Sequence, residues 1–416
     1  MKKLTKKFTI TLLTVSLGAA MLAGCGSGKE EAGADGKVKL ELFANKPEAA
    51  STYKELIKQF EAKNPNIDVE LTLPPEAETV LKTRLTKNDM PDLMAIGGNA
   101  AYGEIARAGA FYDFSNESYL ENIQPAYIEM IGKLVGSEKK GVYGIPYAAN
   151  ANGILYNKEK LDQLGIQPPK TWDEFIAALE KAKVAGETPI YFTLKDSWTA
   201  MVTWNSLAAA LQGDDFAEKR LKGETTFAET HGEVADKFLE LLKYGHKDNF
   251  GKGYSDGNTA FAKGGSVFYL QGVWAIPEIL KANPNMKLGV CAFPVTNDPA
   301  KNRLVSGVDV LLTMAKDTEH PKEAKKFIEF MLQQDIAKKY IDEQSAFSAI
   351  KGIYQENPIM EGIKVNFEQG TITSFPDHYY PAGMQAANLV QEFLIKKDKE
   401  KFLKKMDAEW DKVQNR

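Results

Sequence analysis

The stretch VKLELFANKPEAASTYKELIKQFEAKNPNIDVEL, residues 38–71, decides the fold class. VKLELF (38–43) reads as a strand. Thr52-Tyr53-Lys54-Glu55 has the spacing of a capping box, in which the threonine accepts from the third helical N–H and the glutamate reaches back. It predicts a helix opening at Thr52 with Leu56, Ile57 and Phe60 on its apolar face. Asn64-Pro65-Asn66 stops that helix, and IDVEL (67–71) reads as the next strand. A further helix around residues 80–85 leads into MPDLMAI (90–96), a buried type of strand ending at Gly97-Gly98. Strand–helix–strand–helix–strand in this order predicts α/β architecture, a parallel sheet with helices on both faces.

The later chain has a different texture. PYAANANGILYN (146–157) is an apolar strand signal studded with small polar residues. Thr171-Trp172-Asp173-Glu174 makes a second capping box, and helical stretches follow at 201–211 and 234–244. Strands are expected at 288–293 and 307–315, a helix at 321–332, and a last helical region at 384–413. In YLQGVWAIPEIL (269–280), Pro277 sits where a first helical turn begins, and a proline is tolerated there because that turn's N–H groups lack intrahelical partners. The segment therefore reads as a strand end, a tight bend and a helix, with the large ring of Trp274 beside the bend. No repeat of solenoid length is present.

The N-terminus carries an address. Lys2, Lys3, Lys6 and Lys7 precede a short apolar run and then Leu22-Ala23-Gly24-Cys25, the layout of a secretory signal peptide. Residues 26–37, GSGKEEAGADGK, read as a flexible tether. With residues 1–24 removed, 392 of the 416 residues remain, enough for two domains with large cores. Taking the four leader lysines from 52 basic residues leaves 48 against 56 acidic ones, a net charge of −8. No basic stripe stands out, which argues against nucleic acid. If Cys25 is lipidated, Cys291 is the remaining thiol and no internal disulfide can form.

MPDLMAIG (90–97), IPYAANANGILYNKEKLDQLGI (145–166), PPKTWDEF (168–175), YLQGVWAIPEI (269–279), GVDVLLTMA (307–315) and HPKEAKKFIEFM (320–331) fall in order along the chain. Together they resemble the extracellular solute-binding proteins of bacterial carbohydrate ABC importers, the maltose-binding and multiple-sugar-binding group. The resemblance runs from about Val38 to the C-terminus. It implies a two-lobed, periplasmic-binding-protein-like α/β fold. Each lobe would be a mostly parallel sheet flanked by helices, with three hinge crossings near 148–150, 305–310 and 348–353. Lobe 1 would comprise residues 38–148 and 306–350, and lobe 2 residues 149–305 and 351–416. Leu-Ala-Gly-Cys resembles the lipobox of bacterial lipoproteins, which implies acylation of Cys25 and a body anchored to the outer face of the cell membrane. The implied partners are a sugar and the permease subunits of an ABC transporter; a monomer without cofactor, metal or catalytic role is expected.

A sugar ring stacks its C–H face on an aromatic plate and its hydroxyls on short acids and amides. Trp274, just past Gly272, is therefore expected exposed in the cleft, where the family places an aromatic. Asp196 and Trp198 are the next candidates, Asp196 also being a candidate N-cap of the helix that follows. Asn205 lies two turns beyond Trp198, and Trp204 suits core or cleft equally. Asn150 matches a ligand-binding position of the family. Asn45-Lys46 lies at the carboxyl end of a strand, where open α/β sheets bind ligands. Asp309 needs a partner, either a ligand hydroxyl or an internal cation. Tyr379 or Tyr380 offers a further ring. Gly97-Gly98-Asn99 stands where maltose-specific members carry a tryptophan and charged residues, so lobe 1 is expected to offer fewer aromatic plates and a sugar other than maltose fits better.

Two alternatives stay open. One is the same scaffold binding a polyamine, a peptide or a ferric complex. The other is a secreted glycoside hydrolase, since glycosidases also combine aromatics with two carboxylates. Against an enzyme, no nucleophile elbow, His-Glu-x-x-His or phosphate loop occurs.

Overall fold

The computed structural model describes residues 36–136, 138–381 and 383–414; the leader, Cys25 and most of the tether lie outside the described residues. Strand β1 (Val38–Ala44) pairs in parallel with β2 (Ile67–Thr72) from Val38↔Ile67 to Phe43↔Thr72, and with β3 (Leu93–Ile96) from Leu42↔Leu93. The helices between them are Ala50–Lys63 and Ala77–Thr86. The first opens three residues earlier than its capping-box motif implies, with Ala49 rather than Thr52 at the N-cap. A 3₁₀ turn at Pro47–Ala49 runs straight into it, so no extended residue is left at Thr52 to act as a cap. Thr52 is instead buried, donating to Glu343 Oε2 (2.7 Å) and accepting from Gln344 Nε2 (2.8 Å). The box at Thr171 does form and opens the Trp172–Val184 helix.

Two long strands organise the rest. β4 (Ile145–Asn157) and β8 (Leu304–Met314) run antiparallel from Ile145↔Leu312 to Ala151↔Ser306. The first half of β4 also meets β9 (Phe347–Ser348), and the end of β8 meets β3. The second half of β4 pairs with β6 (Phe268–Gly272) and β7 (Leu288–Cys291), β6 with β5 (Ile190–Tyr191), and the start of β8 with β10 (Ile372–Thr373). The protein is thus two-lobed, with β4 leading out of the β2-β1-β3 lobe and β8 leading back into it. Opposite directions of travel make their pairing antiparallel, so the sheet order β2-β1-β3-β8-β4-β6-β5 is mixed and parallel only toward its two ends.

One core packs Tyr53, Phe60, Phe327 and Tyr340 against the first lobe's sheet. A second gathers Trp172, Phe175, Trp204, Phe238 and Trp410 in the other lobe. A third runs beneath both, from Phe43 and Tyr102 through Ala149 and Val308 to Tyr269 and Ile276. The last helical region is two helices, Ala386–Lys396 and Lys399–Gln414, broken at Lys397, whose left-handed backbone (φ 59°) closes the first one. No helix among the described residues is long and apolar enough to cross a membrane.

The Ala100–Arg107 and Pro125–Val135 helices touch backbone to backbone. A Cβ on Gly103 would lie 2.2 Å from the Leu134 carbonyl oxygen, whereas one on Gly132 would meet nothing within 4 Å. Gly103→Ala is expected to destabilise by about 1–3 kcal/mol. Gly132→Ala, in an exposed helix interior, is expected to stabilise by about 0.5–1 kcal/mol. Thermal unfolding of both variants checks this; equal midpoints would show that the helices can separate freely.

Candidate functional site

Between the lobes lies a cavity of about 830 Å³, within the range of about 300–1,000 Å³ of small-molecule sites. Its two walls differ in chemistry. The first-lobe wall is one face of the Ala77–Thr86 helix, carrying Glu78, Thr79, Lys82, Thr83 and Thr86, together with Asn99. Asn99 ties this wall together. Its Oδ1 caps the Ala100–Arg107 helix by accepting from the N–H groups of Ala101 (3.0 Å) and Tyr102 (3.2 Å), and its Nδ2 donates to Glu78 Oε1 (2.5 Å). The described lining residues of this wall include no aromatic ring, in line with the Gly97-Gly98-Asn99 sequence. The second-lobe wall is built from Trp198, Trp274, Phe375 and Tyr380, with Asn152, Asn205, Asp377 and His378 among them.

Trp274 lines the cavity but is half-buried rather than freely exposed. Its ring lies against Gly272, where a Cβ would come within 2.0 Å of it, so the preceding glycine is what lets the plate lie flat. Trp198 is 43% exposed and packs edge-to-face on Tyr254 at 5.0 Å. Asn205 lines the cavity and accepts from the Asp377 N–H (3.1 Å). Trp204 is core, stacked on His231, and its Nε1 donates to the cavity-lining Tyr380 hydroxyl (3.2 Å). Tyr380 rather than Tyr379 lines the cavity; Tyr379 packs on the layer shared by the lobes.

Four expected residues are engaged elsewhere. Asp196 Oδ2 accepts from the Tyr254 N–H (2.7 Å) and so serves the start of the Tyr254–Ala262 helix, not of its own. The Asn45 amide, with its nitrogen toward the Ala95 carbonyl (3.3 Å) and its oxygen toward the Gly97 N–H (3.2 Å), holds the end of β3. Asp309 has internal partners, an ion pair with Lys46 and a hydrogen bond from Asn150 Nδ2 (2.8 Å). Burial alone would lower the Lys46 pKa, but attraction to Asp309 and Glu48 outweighs it and holds the ammonium above its usual range. None of Asn45, Lys46, Asn150, Asp196 or Asp309 lines the cavity.

A model of the bacterial extracellular solute-binding protein family matches residues 44–338. The chain belongs to this family. It is 32% identical over 369 residues to the multiple sugar-binding protein of Streptococcus mutans, covering 85% of each chain. It is 26% identical to the melibiose/raffinose/stachyose-binding protein MelE of Bacillus subtilis over 82% of this chain and 81% of that one. The solved structure of RafE in complex with raffinose superposes with a TM-score of 0.81 at 29% identity, over 91% of this chain and 100% of that one.

In this solute-binding protein the polar residues that sequence reasoning missed cluster on the aromatic wall. Asn152, on β4, donates to the Val202 carbonyl (2.9 Å), and its Oδ1 has no partner. Asp377 Oδ1, His378 Nδ1 and Trp274 Nε1 are likewise buried without partners. His378 stacks on Phe375 (4.8 Å between centroids), and both rings press on Gly307 of β8. The sequence signal for Asp377 and His378 is the polar-aromatic loop 376–381 itself, in which the tyrosine rings are the plainer stacking candidates. Each orphaned polar group costs about 1–3 kcal/mol. Four such atoms belong to side chains of that one cavity wall.

Burial pushes the Asp377 carboxyl up to about 7, against the hydrogen bond from Asn205 and with some help from repulsion by Glu78. Burial also pushes His378 down to about 4, with Asp309 opposing. A carboxyl whose folded pKa is raised stabilises the fold fully below its unfolded pKa of about 3.9, and that contribution is lost as pH rises through the folded value. Asp377→Asn is therefore expected to gain stability relative to the parent on going from pH 5 to pH 8. Thermal unfolding at both pH values checks it; a constant difference would mean that the carboxylate is well solvated.

Proposed function

We propose that this protein captures an oligosaccharide in the cleft between its lobes and delivers it to the permease subunits of an ABC transporter. The observation that carries this reading is the mixture of orphaned groups on the aromatic wall. Asn152 Oδ1 only accepts, Asp377 Oδ1 accepts when ionised and donates when protonated, Trp274 Nε1 only donates, and His378 Nδ1 does either according to tautomer. A polyamine, all donors, leaves the tryptophan unsatisfied. A ferric complex or other anion, all acceptors, leaves the Asn152 oxygen unsatisfied. A hydroxyl both donates and accepts, and a ring of hydroxyls with an apolar C–H face suits Trp274 and Trp198 together. The family relationship and the sugar-binding relatives support the same reading.

The lobes in this proposal comprise residues 38–148 and 306–350, and 149–305 and 351–416, with hinge crossings on β4, on β8 and near Ser348. Sugar docks on the aromatic wall, and hinge closure brings up the polar face of the Ala77–Thr86 helix to complete the hydrogen bonding. Asn205, Gly272 and Tyr380 shape the aromatic side, while Asn45, Asn150, Asp196 and Asp309 hold its frame. The protein acts as a monomer without cofactor or catalysis, outside the cell and tethered through a lipid on Cys25.

Calorimetry with a panel of raffinose, stachyose, maltotriose, spermidine, a tripeptide and ferric citrate tests the ligand class. Binding of at least one oligosaccharide is expected, and binding of spermidine or ferric citrate alone would overturn the reading. Release of monosaccharide on prolonged incubation would make the protein an enzyme. Trp274→Ala removes an apolar plate that contributes about 1.5 kcal/mol or more, so sugar affinity is expected to fall about tenfold or more with the thermal midpoint little changed. Undiminished affinity would remove Trp274 from the site.

A further inference from the structure

We propose that the cleft is a charge filter, in which Glu78 and Asp377 turn away sugars bearing carboxylates and admit neutral or amino-substituted oligosaccharides. The inference rests on the oligosaccharide reading and names the class of sugar within it. The two carboxylates come from opposite lobes and line the same cavity. They are close enough for the charge of Glu78 to act on Asp377. One oxygen of Asp377 is unpartnered and buried, and among the described residues the one hydrogen bond to the Glu78 side chain comes from the neutral Asn99 amide.

The compensating cations are engaged. Among the described lining residues the one Lys or Arg is Lys82, which is paired with Glu104 at 2.6 Å. Behind the wall, Arg84 is held by both oxygens of Glu41 at 2.7 Å each, and Lys46 by Asp309. His378 is the other basic side chain of the lining, and its burial keeps it neutral near pH 7. The N-terminus of the Ala386–Lys396 helix reaches the cavity without a side-chain cap. Its partial charge of about +0.5 is smaller than the charge of the two carboxylates facing it once Asp377 is ionised. A carboxylate entering here meets like charge between two protein walls, where electrostatic interactions are less screened than in bulk water. An ammonium in the same place meets attraction.

The matched probes are raffinose, its derivative oxidised to a carboxylate at C6 of the galactosyl ring, and the corresponding 6-amino derivative, titrated by calorimetry at pH 8, where Asp377 is ionised. The carboxylate is expected to bind at least about thirtyfold more weakly than raffinose, as like-charge juxtaposition in an interface requires, and the amine at least as well. Glu78→Gln and Asp377→Asn, measured separately, are each expected to narrow the carboxylate-to-raffinose ratio by about fivefold or more, whatever they do to raffinose itself. A parent ratio within about threefold, or a ratio that neither variant moves, overturns the filter while leaving the sugar reading in place. If raffinose and every other neutral oligosaccharide fail to bind, the sugar reading falls and takes the filter with it.

Discussion

The antiparallel ladder between β4 and β8 holds everything else in relation. From Ile145↔Leu312 to Ala151↔Ser306 the two strands share backbone hydrogen bonds while travelling in opposite directions between the lobes. Such a ribbon can twist and bend while its hydrogen bonds hold, which is what the proposed hinge closure requires. The register shifts around Pro146–Ala149, where a proline interrupts the ladder, mark where the ribbon is most irregular. The charge of Asp309, partly buried, sits in this ribbon. It is tolerated because Lys46 reaches it from the end of β1 and Asn150 from the neighbouring strand. An uncompensated charge at that depth would cost several kcal/mol, and the three residues together join the first lobe to both crossing strands.

The cavity inherits an asymmetry from the way each lobe is built. The second lobe's wall stands on a dense aromatic core, in which Trp204 stacks on His231 and bonds the Tyr380 hydroxyl. Its flat rings are therefore rigidly placed. The first lobe's wall is the Ala77–Thr86 helix, which buries only Leu81 and turns its polar residues to the cavity. Thr83 and Thr86 donate their hydroxyls back to helix carbonyls, so on that face they remain as acceptors and methyl groups. One wall thus offers surface and the other hydrogen-bonding detail, and neither alone encloses a solute.

The legibility of the site varied with the kind of force that places each residue. Trp274 and Trp198 were readable because a large ring beside a bend or at a helix start has no ready burial in local structure. Asn205 followed from helical period alone. Asp377, His378 and Asn152 were not readable as cavity-lining groups, since what sets them apart is hydrogen bonds they fail to make, and a missing partner is a property of the folded neighbourhood. Asp196 and Asn45 went the other way. Both are short polar residues in the right region, and both are taken by nearby backbone N–H and carbonyl groups. A capping motif at Thr52 was likewise overridden by the 3₁₀ turn that delivers the chain into its helix.

By itself the sequence determined the α/β class, the succession of most strands and helices, the family relationship and the aromatic character of the cleft. These follow from local period, from turn chemistry and from motifs whose meaning is contained within a few neighbouring residues. Only the tertiary structure decided which wall each polar group joins, that Asp309 pairs internally with Lys46, that Tyr380 and not Tyr379 lines the cavity, and that the sheet is mixed. Those outcomes depend on contacts between residues far apart in the chain, such as Lys46 with Asp309 and Trp204 with Tyr380, and desolvation on forming such contacts sets which polar groups are matched and which are left without a partner.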